Sequence, residues 1–246
     1  MTQTTAVIVT YNSAEFIQAC VMSCLITNLR VIVIDNASAD GTVRKIPEST
    51  RVTVIANAEN KGFAGGVNQG VGLADTPYVL LLNPDARLTT GIEALERAVG
   101  EEGHMAAAGM LVAYDNSPQK GFTYRNLPTP AALAFEVLGI NRIWPANSVN
   151  RRYRCLDANL LVARTVEQPA AALLLFRRDV WETLGGFDER FHPVWFEDVD
   201  FCQRIQQLGG TIQYIPTVQA SHFGGHSVQK IDFGERMNVW YASLLK

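Results

Sequence analysis

No apolar run in this chain of 246 residues approaches the roughly 18–20 that a membrane span requires, so no transmembrane helix is expected. Met1–Thr5 has no basic region leading into an apolar core, so no secretory leader is expected either. The net charge of −3 leaves no basic footprint, which excludes nucleic acid as a partner. Cys20, Cys24, Cys155 and Cys202 form no CxxC pair and no metal-ligand rhythm, which argues against a disulfide scaffold or a thiolate metal site. Cys20 and Cys24 lie one helical turn apart and read as small buried apolar residues, a usage that suits a reducing cytoplasm. Repeats and low-complexity segments are also missing.

What is present is enough apolar material for a sizeable core, 48% of residues against 18% charged, on a length that suits one α/β domain. Ala6–Val9, Val31–Ile34, Val52–Ile55 and Tyr78–Leu82 read as buried strands separated by helical patterns. Their β-branched runs lack polar alternation, as expected for a parallel sheet covered on both faces. The strand–helix rhythm predicts βαβ units with right-handed crossovers. Ser13 is expected to cap a helix through Phe16, Ile17, Cys20 and Cys24.

The polar residues fall in one place. Asn12, Asp35 with Asn36, Asn60, and Asn83 with Asp85 each follow an apolar run. Ligands of open parallel sheets bind beyond the carboxyl ends of the strands, so four loops are expected to deliver amides and carboxylates to one edge. Asx residues are also good turn formers, which explains each loop singly but not their common position. Lys61-Gly62-Phe63-Ala64-Gly65-Gly66 is glycine-rich, yet it lacks Gly-Lys-Ser/Thr and follows the third strand. It is therefore neither a Walker A loop nor a dinucleotide fingerprint.

A second half begins near Gly103. Ala106–Val112 reads as a strand, Tyr114–Pro130 as a long loop, and Ala131–Trp144 as one helix with Leu133, Val137, Ile140 and Trp144 at helical spacing. Arg151-Arg152-Tyr153-Arg154 follows it. Two readings stay open: a peripheral membrane contact, or a helix packed on the sheet with a solvated loop beyond. Pro169–Phe176 reads as one buried strand, and Thr211–Ile215 and Val218–His222 as two late ones. The helical pattern after Gly234 (Met237, Trp240, Tyr241, Leu244) stops at Lys246. A longer natural chain, with a homodimer surface on the missing part, is therefore left open.

Trp195–Arg204 concentrates the acids. Glu197, Asp198 and Asp200 fall in or just before the first turn of a helix whose apolar face is Phe201, Ile205 and Leu208. Acids are favoured there by the helix dipole, so capping alone accounts for them as well as catalysis does. Asp85 and His222 are the candidate metal ligands, because a hard cation bridging phosphates takes few protein groups. A lone histidine is more often structural than a ligand.

Taken in order, these segments resemble the inverting glycosyltransferases of family 2, with the GT-A fold. The resemblance rests on Val7–Asn12, Val33–Thr42, Asn60–Asn68, Leu81–Asp85, Gly185–Glu189, Glu197–Asp200, and His222 with Gly225 and Ser227. The Asn-Pro-Asp and Glu-Asp-Val-Asp versions look most like bacterial rhamnosyltransferases of cell-wall or surface polysaccharide synthesis. It implies a single GT-A domain over 1–246, with a nucleotide-sugar-binding half at 1–100 and an acceptor-binding and catalytic half at 101–246. The implied partners are a dTDP- or UDP-linked sugar donor and a glycan or lipid-linked acceptor. Mg²⁺ or Mn²⁺ is the implied cofactor, and the cytoplasm, or the inner face of its membrane, the implied location.

Carried over by residue, Thr10, Asn12 and Asp35 would hold base and ribose, and Lys61, Gly62, Phe63 and Asn68 would line the remaining contacts. Tyr11, Asn36, Gly66, Asn83 and Glu197 complete the substrate-binding set. Asp85 takes the second acidic position of the family's Asp-x-Asp element and His222 a metal-ligand position. Asp198 matches the catalytic base. Asn83 stands where many members have the first Asp, so strict metal dependence does not follow. Two rivals remain. A nucleotidyltransferase is disfavoured by the lack of a basic triphosphate loop near the N-terminus, and a non-catalytic sugar-nucleotide binder is suggested by Asn83.

Overall fold

The computed structural model describes residues 3–224 and 233–244, so Gly225 and Ser227 lie outside the described residues. The first half alternates as its sequence suggests: β1 (Thr4–Thr10), α1 (Ile17–Ile26), β2 (Arg30–Asp35), β3 (Val52–Ala56), α2 (Gly62–Leu73) and β4 (Tyr78–Leu82). There follow β5 (Ala86–Leu88), α3 (Glu93–Gly100), β6 (His104–Val112), the short β7 (Tyr124–Arg125), α4 (Pro130–Val137), α5 (Ile140–Ile143) and α6 (Ser148–Tyr153). The chain continues through β8 (Arg164–Val166), β9 (Gln168–Pro169), β10 (Leu173–Arg177), α7 (Arg178–Leu184), α8 (Glu197–Gln207), β11 (Thr211–His222) and α9 (Phe233–Leu244).

The main sheet runs β3-β2-β1-β4-β10-β6-β11, with β5 and β8 both along the far side of β11. β1–β4, β6 and β11 point one way; β10 is antiparallel to both of its neighbours. The sheet is thus mostly parallel, with β1 and, apart from Tyr78, β4 buried along their pleats. One face packs α1 and α3 through Ile17, Cys20, Cys24, Leu95 and Val99; the other packs α2, α7 and α8 through Val67, Val71, Val180, Phe201 and Ile205. Helix α2 comes unusually near: a Cβ on Gly66 would lie 2.6 Å from Val9 Cγ1, so a side chain there would push the helix off β1.

Several expectations are corrected by the fold. Helix α1 starts at Ile17, and the Ser13 hydroxyl donates to the Tyr11 carbonyl at 3.2 Å instead of capping it. Ala131–Trp144 is two helices, parted where Gly139 turns to φ 70°. Pro169–Phe176 is likewise interrupted, with Ala170–Ala172 outside the strands β9 and β10. The two late strands are one, β11, whose register shifts between Ile215 and Gln219, around Pro216, which has no N–H to give a ladder. Leu208, expected on the buried face of α8, is 48% exposed; Cys202 is buried instead.

Candidate active site

The strand ends open into a cleft of about 860 Å³. Thr10, Tyr11, Asn12, Asn36, Phe63, Asn83, Asp85, Glu197, Asp198 and His222 line it, joined by Asn60. Asp35, Lys61, Gly62, Gly66 and Asn68 do not line it. Asn68 instead ties α2 to the turn before α8: its amide donates to the Phe187 carbonyl at 2.8 Å and accepts from the Phe187 N–H at 2.8 Å. Gly62, at φ +75°, lets the chain pass the 192–193 loop, where an added Cβ would lie 2.7 Å from His192 Nδ1. The Phe63 N–H donates to the Pro193 carbonyl at 2.8 Å, fixing the same approach.

The wall formed by β1 and β2 is built from reciprocal loop contacts. The Asn12 N–H donates to Ser38 Oγ, and its side-chain oxygen accepts from the Ala39 N–H. Asn36 Nδ2 donates to the Gly62 carbonyl, and its oxygen accepts from Asn57. Thr10 and Asp35 pair across the ends of β1 and β2. Thr10 Oγ1 and Asp35 Oδ1 are both buried without a hydrogen-bond partner. Unmet buried groups of this kind are uncommon and mark positions where a ligand can supply the missing partner.

Asp85 follows β4 on a tight turn and meets His222, the last residue of β11. Its Oδ1 lies 3.4 Å from His222 Nε2, and its Oδ2 accepts from the Gly224 N–H at 3.1 Å. Burial alone would raise this carboxyl, but the hydrogen bond and charge of His222 and the Gly224 N–H outweigh it and hold the group below the usual carboxylate range. Gln119 orients the imidazole. Its Nε2 donates to the His222 carbonyl at 2.6 Å, leaving its oxygen 2.9 Å from His222 Nδ1 as acceptor. In the neutral ring that places the proton on Nδ1 and turns the Nε2 lone pair toward Asp85 and the Asn83 amide, 3.3 Å away, whereas the hydrogen bond and charge that lower Asp85 belong to the protonated ring, which donates from Nε2 as well. Phe122 stacks on the ring at 5.1 Å.

Among the described residues no three His, Cys, Asp or Glu side chains converge as a metal cage. An ionised carboxylate beside a bare imidazole nitrogen nevertheless suits a divalent cation that draws its other ligands from phosphate and water.

Glu197 and Asp198 open α8 on the opposite wall. Trp195 (φ 84°) and Phe196 (φ 72°) are consecutive left-handed residues with side chains, a conformation costing about 1–3 kcal/mol each. Phe201 fixes the helix behind them, packed at 5.3 Å on Phe176 of β10 and 4.8 Å on Phe187. Asp200 is engaged elsewhere: Arg204 binds it at 2.6 Å and also donates to the Leu184 and Gly186 carbonyls, so this acid braces the helix. Asp198 faces the cleft. Its Oδ1 accepts from the Val199 N–H at 2.8 Å, and its Oδ2 is met only at 3.2 Å by Gln168 and 3.5 Å by the Ala171 N–H. Burial pushes its carboxyl up, more than the Ala171 N–H and the Arg125 guanidinium pull it down. Glu197 is pushed well above the ordinary range by burial and then by the charge of Asp198.

Gln119, Phe122, Arg125 and Gln168 were not identified from sequence. Gln119 and Phe122 sit in the long loop before α4, where no period marks them, and Arg125 and Gln168 lie on the two-residue strands β7 and β9, too short to show one.

A mostly parallel α/β sheet with acids and amides gathered beyond its strand ends is the architecture of GT-A enzymes, and the solved structures agree. The structure of GalNAc-T7 with UDP, GalNAc and Mn²⁺ superposes with a TM-score of 0.65 at 15% identity, over 89% of this chain and 43% of that one. The mannosyltransferase PcManGT from Pyrobaculum calidifontis, in complex with GDP-Man and Mn²⁺, gives 0.60 at 19% identity, over 92% and 59%. This chain therefore spans less than two thirds of either. The Glycosyl transferase family 2 model matches residues 5–157. The chain belongs to that family and is an inverting glycosyltransferase of the GT-A type.

Among curated relatives, the N-acetylglucosaminyl-diphospho-decaprenol L-rhamnosyltransferase of Mycobacterium tuberculosis is 27% identical over 239 residues, 90% of this chain and 76% of that protein. The rhamnosyltransferase WbbL of Escherichia coli K12 is 24% identical over 156 residues, 62% of this chain and 54% of that one.

Proposed function

We propose that this enzyme moves a sugar, L-rhamnose from dTDP-rhamnose, onto a hydroxyl of a glycan or lipid-linked acceptor in cell-wall or surface polysaccharide synthesis. The observation that carries the transfer chemistry is one cleft holding two carboxylates of opposite tuning, Asp85 low and Asp198 high. The names of the M. tuberculosis and E. coli relatives support the choice of sugar.

The unmet Thr10 Oγ1, which lines the cleft, favours the nucleoside on the β1–β2 side, with Tyr11, Asn12, Asn36 and Phe63 around it and Asp35 behind Thr10 at the end of β2. Asp85 and His222 would hold Mg²⁺ or Mn²⁺, which when bound neutralises charge on the departing diphosphate. Asp198 accepts the proton of the acceptor hydroxyl as its oxygen bonds to the anomeric carbon. The bond from that carbon to the diphosphate breaks, and the nucleoside diphosphate leaves on the opposite face. Because the donor carries its own leaving group, one carboxylate base is enough. Glu197, its carboxyl raised by burial and by the charge of Asp198, lies beside the base as its buried neighbour. Asn68, outside the cleft lining, serves the packing of α2.

A thermal-shift panel of dTDP-, UDP- and GDP-sugars with and without Mg²⁺ or Mn²⁺ tests the donor, since a ligand of the native state raises the melting temperature. The proposal expects dTDP-rhamnose to give the largest shift, with metal increasing it, and dTDP to be released on transfer. A larger shift with another donor would reject rhamnose while keeping transfer. Pyrophosphate released from a nucleoside triphosphate would point to a nucleotidyltransferase instead.

A further inference from the structure

Residues 137–154 contain four arginines (Arg142, Arg151, Arg152, Arg154) and no Asp or Glu, in a chain whose net charge is −3. The same segment exposes apolar side chains. Leu138 is 69% exposed, Ile143 87% and Trp144 62%, all within the turn from α4 through α5. Gly139 at φ 70° ends α4, and the apolar side chains on either side of that turn project outward. Arg154 is paired with Glu136, and Arg151 with Asp157. Among the described residues, Arg142 and Arg152 are exposed and join no ion pair. Single exposed apolar residues need no explanation, but three within seven positions beside two unpaired cations form a patch.

We propose that the α4–α5 turn docks on an anionic lipid bilayer. Leu138, Ile143 and Trp144 enter the boundary between headgroups and acyl chains, and Arg142 and Arg152 meet lipid phosphates. A tryptophan at such a boundary keeps its ring in the apolar layer and its N–H in the wet one. The interleaving of cations with the apolar residues decides against a protein partner or a second copy, because the buried centres of protein interfaces are depleted in charge. The turn is also joined to the cleft, whose lining includes Leu133 and Glu136 of α4 and Tyr153 and Arg154 beside it. Docking therefore lays that side of the cleft against the membrane surface. The inference rests on this surface alone and not on the donor proposed above.

Cosedimentation with vesicles of phosphatidylcholine, with and without about a third phosphatidylglycerol, tests it. The protein is expected to pellet with the anionic vesicles and to be released at high salt. A double variant, Ile143→Ser with Trp144→Ser, should melt at the wild-type temperature yet partition about tenfold more weakly. Trp144→Phe should still bind but lose most of the blue shift in tryptophan emission. The proposal is overturned by no association with either vesicle, or by a double variant that binds like wild type. It is equally overturned if the double substitution dissolves a dimer seen without lipid, or if pelleting requires a lipid-linked glycan in the vesicles.

Discussion

The two walls of the cleft hold their carboxylates in opposite ways. Asp85 sits on the turn after a sheet strand and faces His222, whose hydrogen bond and charge, with the Gly224 N–H, overcome burial and keep it ionised. Asp198 opens a helix and has no cation at hydrogen-bond distance, so burial wins and its carboxyl rises. A group held low is suited to remain an anion beside a cation or phosphate, and a group held high is suited to receive a proton. Partner identity separates the two, since both carboxylates are taken from water. Asp200, two residues along, repeats the point: bound by Arg204, it is spent on structure.

Removing either carboxylate breaks the comparison. Asp198→Asn should lower transfer by about 10³-fold, within the usual range for loss of a general base, while leaving donor affinity within a factor of about two. Near-normal turnover in that variant, measured by nucleoside diphosphate release, would show the base to be elsewhere. Asp85→Asn is expected to cost about 100-fold, and much of the loss should be recovered at high Mn²⁺, because one of few ligands has been lost. Loss that metal cannot relieve would argue against a cation at Asp85.

Gln119 sharpens the contrast, since it acts only on the Asp85 wall. Gln119→Leu frees the His222 tautomer and should weaken apparent metal affinity by about tenfold, as for other partners of ligating histidines. The pH dependence of transfer, which depends on Asp198, should stay in place. An acid limb displaced by Gln119→Leu would mean that the two walls are not separately tuned.

Glu197 gives the smallest effect. Its folded pKa is raised above the unfolded value, so the native state binds the proton more tightly. Stability therefore declines as pH rises from about 4.3 up through the folded value. Glu197→Gln removes that decline, so its melting temperature relative to wild type should climb with pH. Parallel curves for the two proteins from pH 5 to about 8 would place no excess proton on Glu197.

The β-branched runs of β1–β4 and the Asx residues after them made the first half legible, because apolar period and turn chemistry are both local. The acids in the first turn of α8 are conspicuous in the sequence, but their spacing did not separate Asp198 from Asp200; the resemblance to family 2 did. The direction of β10 was hidden: an apolar run has no arrow, and only its place between β4 and β6 makes it antiparallel. The break at Gly139 was hidden too, since one glycine inside an apolar helical pattern does not announce a left-handed turn. Lys61 and Asn68 belonged to the right motif, but motif membership does not specify which side chains face a cavity and which brace a helix. Gln119 reaches His222 from 103 residues away, a pairing that only the closed sheet brings about.

The separate tuning of Asp85 and Asp198 is tested most directly by the pH profile of kcat/KM for transfer, measured at saturating metal. A base that works only when ionised, with its carboxyl raised by burial, loses activity as pH falls through that raised value. The acid limb should therefore lie above the ordinary aspartate value of about 3.9, and it should vanish with the residual activity of Asp198→Asn. An acid limb at the ordinary value, or one that persists in Asp198→Asn, would contradict the assignment.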